Sequence, residues 1–252
     1  MKITGNTILI TGGGSGIGRG LAEALQAEGN RVIIAGRRKQ VLEETTKANP
    51  GMESLTLDIE DAKSIREFAA QVTKDYPALN VLINNAGIMR LENLKAQPEE
   101  LTDAESIVTT NLLGPIRLTA ALLPLLLKQL QSTVMNVTSG LAFVPLTSVP
   151  TYNATKAAMH SYSLSLRYQL KDTKTEVLEL IPPYVQTDLL SGAADPRAMP
   201  LKDFIAQTIE ILKTQPDAKE ICVERVKALR FAEKNGNFDG FFSNFNDAMA
   251  IH

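Results

Sequence analysis

Apolar residues follow two rhythms along this chain. Short runs such as VIIA, VLIN and VMNV are apolar almost throughout, as strands covered on both faces must be. Between them apolar residues recur three and four positions apart, as at Leu21, Ala24 and Leu25, which places them on one face of a helix. The first rhythm predicts strands at Thr7–Thr11, Val32–Ala35, Ser54–Leu57, Val81–Asn84, Val134–Val137 and Val177–Ile181. The second predicts helices over about 17–28, 38–48, 62–75, 100–130 and 153–171. Such alternation builds βαβ units, so the fold class is α/β: a doubly wound parallel sheet of six to seven strands, flanked by helices in three α/β/α layers.

After Ile181 the alternation weakens. The segment PPYVQTDLLSGAADPRAMPLKDF holds four prolines and many small residues, and it reads as a substrate-loop region over about 183–215 that opens into a short helix near 201–214. A weak seventh strand falls at Ile221–Glu224. The tail, about 235–252, carries Phe238, Phe241, Phe242 and Phe245 and is too aromatic for a disordered end. Packing on its own subunit is the favoured reading, docking on a neighbouring subunit the other. With no repeat and no Pro/Gly/Ser linker, one domain is expected over 1–252.

Composition narrows the function mainly by exclusion. The 26 basic and 28 acidic residues leave a net charge of −2 and no basic footprint for nucleic acid or an anionic membrane. Cys222 stands alone, so no intramolecular disulfide forms and a reducing compartment is favoured. With only His160 and His252, zinc sites and Ser-His triads lack parts, and no metal is expected. The amino end passes from one lysine through a short apolar run into glycines, unlike a secretory signal. The most apolar stretch, Leu118 to Leu130, is broken by Pro124 and Lys128 and falls short of the ~20 residues of a membrane span. A soluble, cytoplasmic protein is expected.

Candidate chemistry begins where the first strand meets the first helix, in Thr11-Gly12-Gly13-Gly14-Ser15-Gly16-Ile17-Gly18. Glycines there let the backbone approach a pyrophosphate, and the helix start attracts its charge, so Gly12, Gly14, Ser15, Gly16, Ile17 and Gly18 are candidate dinucleotide-binding residues. Arg19-Gly20 follows instead of the Lys-Ser or Lys-Thr of a nucleoside triphosphatase loop. About 20 residues on, where an acid would bind the ribose of NAD, stand Ala35-Gly36-Arg37-Arg38. Arg37 and Arg38 suit a 2′-phosphate, so NADP is the expected cofactor, with NAD possible. Asp58, followed by Ile59, reads either as the acceptor for an adenine amine or as the cap of the next helix.

The second signal is Tyr152-Asn153-Ala154-Thr155-Lys156. Four residues apart on a helix, the phenol and the ammonium share a face, and a cation beside a phenol favours the phenolate, lowering a pKa that starts near ~10. Such a tyrosine passes protons at neutral pH. The strand ending Asn136-Val137-Thr138-Ser139 places Ser139 at its carboxyl end, 13 residues before the tyrosine.

In this order and spacing, TGGGSGIG (11–18), NNAG (84–87), the Asn111 of TTNLLG, the Ser139 of NVTSG and YNATK (152–156) make the chain resemble the short-chain dehydrogenases/reductases, Rossmann-type single-domain proteins, over about residues 5–190. The resemblance implies Tyr152 as general acid in reduction and base in oxidation, with Ser139 holding the substrate oxygen. Lys156 would bind the nicotinamide ribose hydroxyls and depress the tyrosine pKa, and Asn111 would hold a water linking Lys156 to solvent. Asn85, Ala86 and Gly87 would lie along the adenosine side and steady the central strand. Pro182, Val185 and Thr187 would meet the carboxamide and phosphates. In this last segment the family's Pro-Gly-x-Val-x-Thr is replaced by Pro182-Pro183-Tyr184-Val185-Gln186-Thr187, a variant similar to that of the DltE-like oxidoreductase subgroup. Proline at 183 fixes φ and removes a donor where glycine would be free.

The expected activity is hydride transfer between a nicotinamide and a carbonyl/secondary alcohol pair. An apolar pocket from Gly140-Leu141-Ala142-Phe143-Val144, Met89 and Tyr184 would favour an uncharged or lipophilic substrate. The alternatives are a catalytically silent NADP-binding regulator and a sugar-nucleotide epimerase or dehydratase, whose relatives are longer. Helices 100–130 and 153–171 resemble those the family uses for homodimer or homotetramer contacts.

Overall fold

Seven parallel strands form one sheet in the computed structural model, which describes residues 1–96, 100–190 and 195–249. In chain order the elements are β1 (Thr7–Thr11), α1 (Gly16–Ala27), β2 (Arg31–Gly36), α2 (Lys39–Ala48), β3 (Glu53–Thr56), α3 (Ala62–Asp75), β4 (Val81–Asn84), α4 (Thr102–Val108) and α5 (Gly114–Leu126). They continue with β5 (Ser132–Val137), α6 (Pro150–Gln169), β6 (Thr175–Leu180), α7 (Leu201–Thr214), β7 (Glu220–Ile221), α8 (Lys227–Arg230) and α9 (Phe238–Met249). His252 and part of the expected loop region, 191–194, lie outside the described residues.

The strands lie in the order β3-β2-β1-β4-β5-β6-β7, so the chain winds one way from β1 and the other way from β4. A crevice opens between those two strands at their carboxyl ends, where sheets of this kind take ligands. Alternate strand residues point to opposite faces, and the middles of the inner strands are apolar on both because helices cover both faces. Ile8, Ile10, Val32, Ile34, Ile83 and Met135 meet Leu21 and Leu25 of α1 and Phe204 of α7. Leu9, Ile33, Leu82, Val134 and Val177 meet Phe68 of α3, Leu118 and Leu122 of α5 and Leu166 of α6. The expected three layers are therefore present.

The helix predicted over 100–130 differs in detail. It is a helical run in which a five-residue π turn, Thr109–Leu113, separates α4 from α5, and it ends at Leu126. The Gly114 N–H reaches back five residues to the Thr109 carbonyl, and Pro115, next in line, has no N–H with which to continue a regular ladder. Together Thr102–Leu126 spans 25 residues and is long and apolar enough to cross a membrane, longer than the stretch read from composition. Its Leu118, Leu122, Leu125 and Leu126 are buried against the sheet and α3, as befits a core helix.

Other boundaries shift for local reasons. α6 starts at Pro150, three residues early, because a first-turn proline has no N–H to leave unpaired. β6 starts at Thr175, two residues before its apolar run, where the Ser132 and Thr175 hydroxyls bond at 2.8 Å. The seventh strand is only Glu220–Ile221, since Val223 already leads into a 3₁₀ turn.

Candidate active site

The glycine loop lies at the carboxyl end of β1 and opens α1. Its N-cap residue, Ser15, makes no side-chain cap bond among the described residues, and the first turn carries no acid, so the helix start offers N–H donors and positive dipole to an anion. Gly12 has φ +67°, and a Cβ there would lie 3.0 Å from the Ala86 Cα; a Cβ on Gly18 would lie 2.3 Å from the Gly12 carbonyl oxygen. Only glycine suits either position. Thr11, absent from the expected site residues, joins this loop to the next strand. Its Oγ1 accepts from the Asn85 and Ala86 N–H groups at 3.0 and 3.1 Å, while Asn85 Nδ2 donates to the Thr11 carbonyl at 2.9 Å. These bonds clamp β1 to β4 across the crevice.

On the other side of the crevice β5 delivers Ser139. The Ser139 Oγ accepts from the Leu141 N–H at 3.1 Å, which leaves its own hydrogen to give away. Tyr152 and Lys156 share a face of α6, with Lys156 Nζ 5.5 Å from the tyrosine ring centroid and 2.8 Å from the Val137 carbonyl oxygen. Asn111 lies in the π turn. Its Oδ1 accepts from the Ile88 N–H and its Nδ2 donates to the Ile88 carbonyl, both at 2.8 Å, and Nδ2 also reaches Thr155 Oγ1 at 3.3 Å. Gly87 faces the gap between these groups: a Cβ there would lie 3.3 Å from Asn111 Oδ1 and 3.7 Å from Lys156 Nζ. A serine, a phenol and an amine thus meet near the glycine loop at the carboxyl edge of the sheet.

The family model of short chain dehydrogenases matches residues 6–197. The chain belongs to the short chain dehydrogenase family. The "Uncharacterized oxidoreductase DltE" of Bacillus subtilis is 40% identical over 251 residues, 98% of each chain. A protein described as "NADP-dependent 3-hydroxy acid dehydrogenase" from Schizosaccharomyces pombe is 33% identical over 193 residues, 74% of each chain. Among solved structures, a short chain dehydrogenase from Burkholderia cenocepacia in complex with NADP shares the fold with a TM-score of 0.81 at 23% identity, covering 97% of this chain and 98% of that one.

In this short chain dehydrogenase, Tyr152 and Lys156 are only 6% and 5% exposed. Burial pushes the phenol up to about 12, opposed by its hydrogen-bond partner Ser139, and pushes the Lys156 ammonium down to about 8. The direction for Tyr152 corrects the expectation of a lowered pKa. Both groups lose hydration in their charged forms, and desolvation outweighs the help a neighbouring cation would give.

The two arginines differ in their partners. Arg38 Nη2 donates to Ser15 Oγ at 3.1 Å and so leans on the glycine loop, whereas Arg37 Nη1 is tied to Glu60 Oε1 at 3.0 Å. Glu60 also accepts the Thr110 hydroxyl at 2.7 Å. Nothing in its sequence position, a polar turn past the third strand, announces that pairing. The cap reading of Asp58 is overturned: Asp61 caps α3, taking the Lys63 and Ser64 N–H groups at 2.9 and 3.1 Å, while Asp58 accepts from the Glu60 N–H at 3.0 Å. An N-cap must immediately precede its helix, and only Asp61 does. Ile59 is buried, and its side chain lies beside Gly114.

Despite Pro183, the segment after β6 returns over the glycine loop. The Pro182 carbonyl accepts from the Gly140 N–H at 2.9 Å, Val185 pairs with Met199, and a Cβ on Gly16 would lie 3.4 Å from Thr187. The expected pocket is only partly assembled. Met89 and Leu141 join a cluster with Tyr152, but the Tyr184 hydroxyl turns to Asp195 at 3.4 Å. Phe143 sets its ring 4.8 Å from that of His160 and packs with the core near Val226 and Leu229, because Arg230 lies 4.4 Å over it.

Behind Ser139 lies a group that the sequence reading passed over. Glu179, fully buried on β6, accepts the Thr138 hydroxyl at 2.7 Å and faces His160 Nδ1 at 2.8 Å, one helical turn beyond Lys156. The only signal was an acid inside the run TEVLEL. Donor atoms of His160, Glu179 and Glu220 lie within 4.8 Å of one another, but Arg230 already pairs with both Glu220 oxygens at 2.7 and 2.8 Å.

Proposed function

We propose that the chain is an NADP-dependent oxidoreductase that interconverts a carbonyl compound and its secondary or primary alcohol. The observation that carries this reading is the convergence of Ser139, Tyr152 and Lys156 beside an uncapped helix start at the carboxyl edge of the sheet. The residues fit a dinucleotide: open N–H groups at α1 for the pyrophosphate, and Arg38 next to Ser15 for a 2′-phosphate. Asp58 and Ile59 would flank the adenine, Asn85, Ala86 and Gly87 the adenosine side, and Pro182, Val185 and Thr187 the carboxamide and phosphates. The printed name of the fission-yeast relative, NADP-dependent, supports NADP over NAD for this chain.

Bound there, a nicotinamide supplies or accepts a hydride at the substrate carbon. Tyr152 gives its phenolic proton to the carbonyl oxygen as that carbon is reduced, and recovers it in oxidation. Ser139, whose lone pair is held by the Leu141 N–H, donates its hydrogen to the same oxygen. Lys156, which donates to the Val137 carbonyl, would hold the ribose hydroxyls of a bound dinucleotide, and its charge would steady the phenolate once the proton has gone. Asn111 holds Ile88 and Thr155 and would take the water linking the lysine to solvent. Leu164 and Tyr168 on α6 and Leu113 beside α5 are exposed, which supports a homodimer or homotetramer; light scattering tests it.

The deciding experiment follows NADPH oxidation with a panel of ketones and aldehydes. Turnover with at least one carbonyl, lost in Tyr152→Phe, is expected. Tight NADPH binding without turnover on any member would instead favour the cofactor-binding regulator.

A further inference from the structure

The last helix is held by its neighbours rather than buried among them. Phe238, Phe241, Phe242, Phe245 and Met249 recur at helical spacing and give α9 one apolar stripe. The rings stack along the helix, Phe238 on Phe242 with centroids 5.9 Å apart and Phe241 on Phe245 at 6.3 Å. Every described residue of α9 keeps some exposure, so the stripe is only half covered.

What covers it is the substrate side of the proposed site. Phe245 and Met249 pack against Met89, Ile107, Leu146, Val149 and Tyr152. Asn246 fixes the helix over the loop that follows Ser139: its Oδ1 accepts from the Thr147 N–H at 2.7 Å and its Nδ2 donates to the Pro145 carbonyl at 3.1 Å. Arg197 fixes the far end, donating to the Ala248 carbonyl at 2.9 Å while its guanidinium pairs with Asp195, the residue that also accepts the Tyr184 hydroxyl. Tyr184, which follows the proline that departs from the family's loop pattern, is thereby linked to the tail.

These ties are exposed and few, and a helix so held opens at far lower cost than the buried core. On opening it still presents a phenyl ring and a thioether to whatever enters beside Tyr152. The side chains that Phe245 and Met249 meet are apolar apart from the Tyr152 hydroxyl, so an apolar arm laid on them is removed from water at a gain.

We infer that α9 is the outer wall of the substrate pocket, with Phe245 and Met249 selecting a carbonyl compound that bears an alkyl or aryl arm. This inference rests on the oxidoreductase reading and names the substrate class of the same site. Methylene groups added to such an arm gain binding energy only while they remain in contact with that wall.

The test compares the full-length wild type with a Phe245→Ala/Met249→Ala double variant on 2-alkanones from butan-2-one to decan-2-one. In the wild type kcat/KM is expected to climb with chain length. In the variant decan-2-one loses about tenfold or more, butan-2-one stays within about threefold, and NADPH affinity is unchanged. An equal loss across the series, or an undiminished climb, overturns the wall. If no ketone turns over, calorimetry with decanamide on NADP-saturated protein replaces it, and equal binding by both proteins, or none by the wild type, overturns the inference. Absence of NADPH binding would sink the oxidoreductase reading instead, and hydrogen exchange at the exposed Thr147 amide then tests the cover alone. That amide should be protected in the wild type and unprotected in Asn246→Ala; no protection in the wild type removes the cover.

Discussion

The two ends of the crevice handle charge in opposite ways. At the adenosine end Arg37 pairs with Glu60 and Arg38 with Ser15 at the surface, with the Arg37 side chain half exposed. At the reacting end Ser139, Tyr152, Lys156 and Asn111 are all buried, and two of them titrate far from their ordinary values. Water screens the first set, so each contact there is weak and replaceable. In the second, burial itself sets the proton affinity, so the chemistry depends on the packing around it. On the proposed reading, cofactor preference rests on surface contacts, whereas the proposed acid-base pair is tied to the core.

The sharpest break of this contrast is Tyr152→Phe. It should lower carbonyl reduction by about 10²–10⁴ while fluorescence titration gives NADPH affinity within about twofold of wild type. A rate near wild type would mean that another group supplies the proton.

Lys156→Met probes what burial costs. The folded pKa of about 8 lies below the ordinary lysine value of 10.5, so between those values the unfolded chain binds the extra proton and wild-type stability rises with pH. Below about pH 8 the penalty is fully present, roughly 3 kcal/mol from about 1.4 kcal/mol per unit. Relative to the variant, wild-type urea midpoints should therefore climb from pH 8 to 10, the raised Cys222 pKa of about 11 acting equally on both above about pH 9, and the variant should be more stable at pH 7. Above about pH 10 the raised Tyr152 pKa works against folding in both proteins, because the unfolded phenol ionises first.

At the exposed end effects are smaller. Arg38→Ala should weaken NADPH binding about tenfold and leave NADH unchanged, the difference shrinking as salt is raised. Smallest of all, Glu60→Gln releases Arg37 and should tighten NADPH binding about two- to threefold, since it removes one screened ion pair. Loss of affinity in that variant would show that Glu60 organises the site rather than competing for Arg37.

Much of this was legible in the letters. Uniformly apolar runs announced buried strands, and the glycines of residues 12–18 announced a tight turn, in which a Cβ on Gly18 would meet the Gly12 carbonyl. The serine and the Tyr-x-x-x-Lys pair stood at strand and helix positions that a parallel sheet brings to one edge. The rest depended on partners far away in sequence. Asp58 looks like a plausible cap until Asp61 is seen to take the first N–H groups of α3, and Phe143 looks like a pocket residue until its ring is found beside His160 and Arg230. Glu179 reads as one acid in a strand until Thr138 and His160 are seen to enclose it.

By itself the sequence determined the order of strands and helices, the glycine turn and the identity of the reactive side chains, because each is a local demand of backbone geometry or of chemistry. Only the tertiary structure decided which way the Tyr152 pKa moves, which arginine is left beside the glycine loop and where the aromatic tail comes to rest. Those outcomes are sums of desolvation and pairing over residues that meet only after folding, as Thr11 meets Asn85 across 74 positions and Thr147 meets Asn246 across 99.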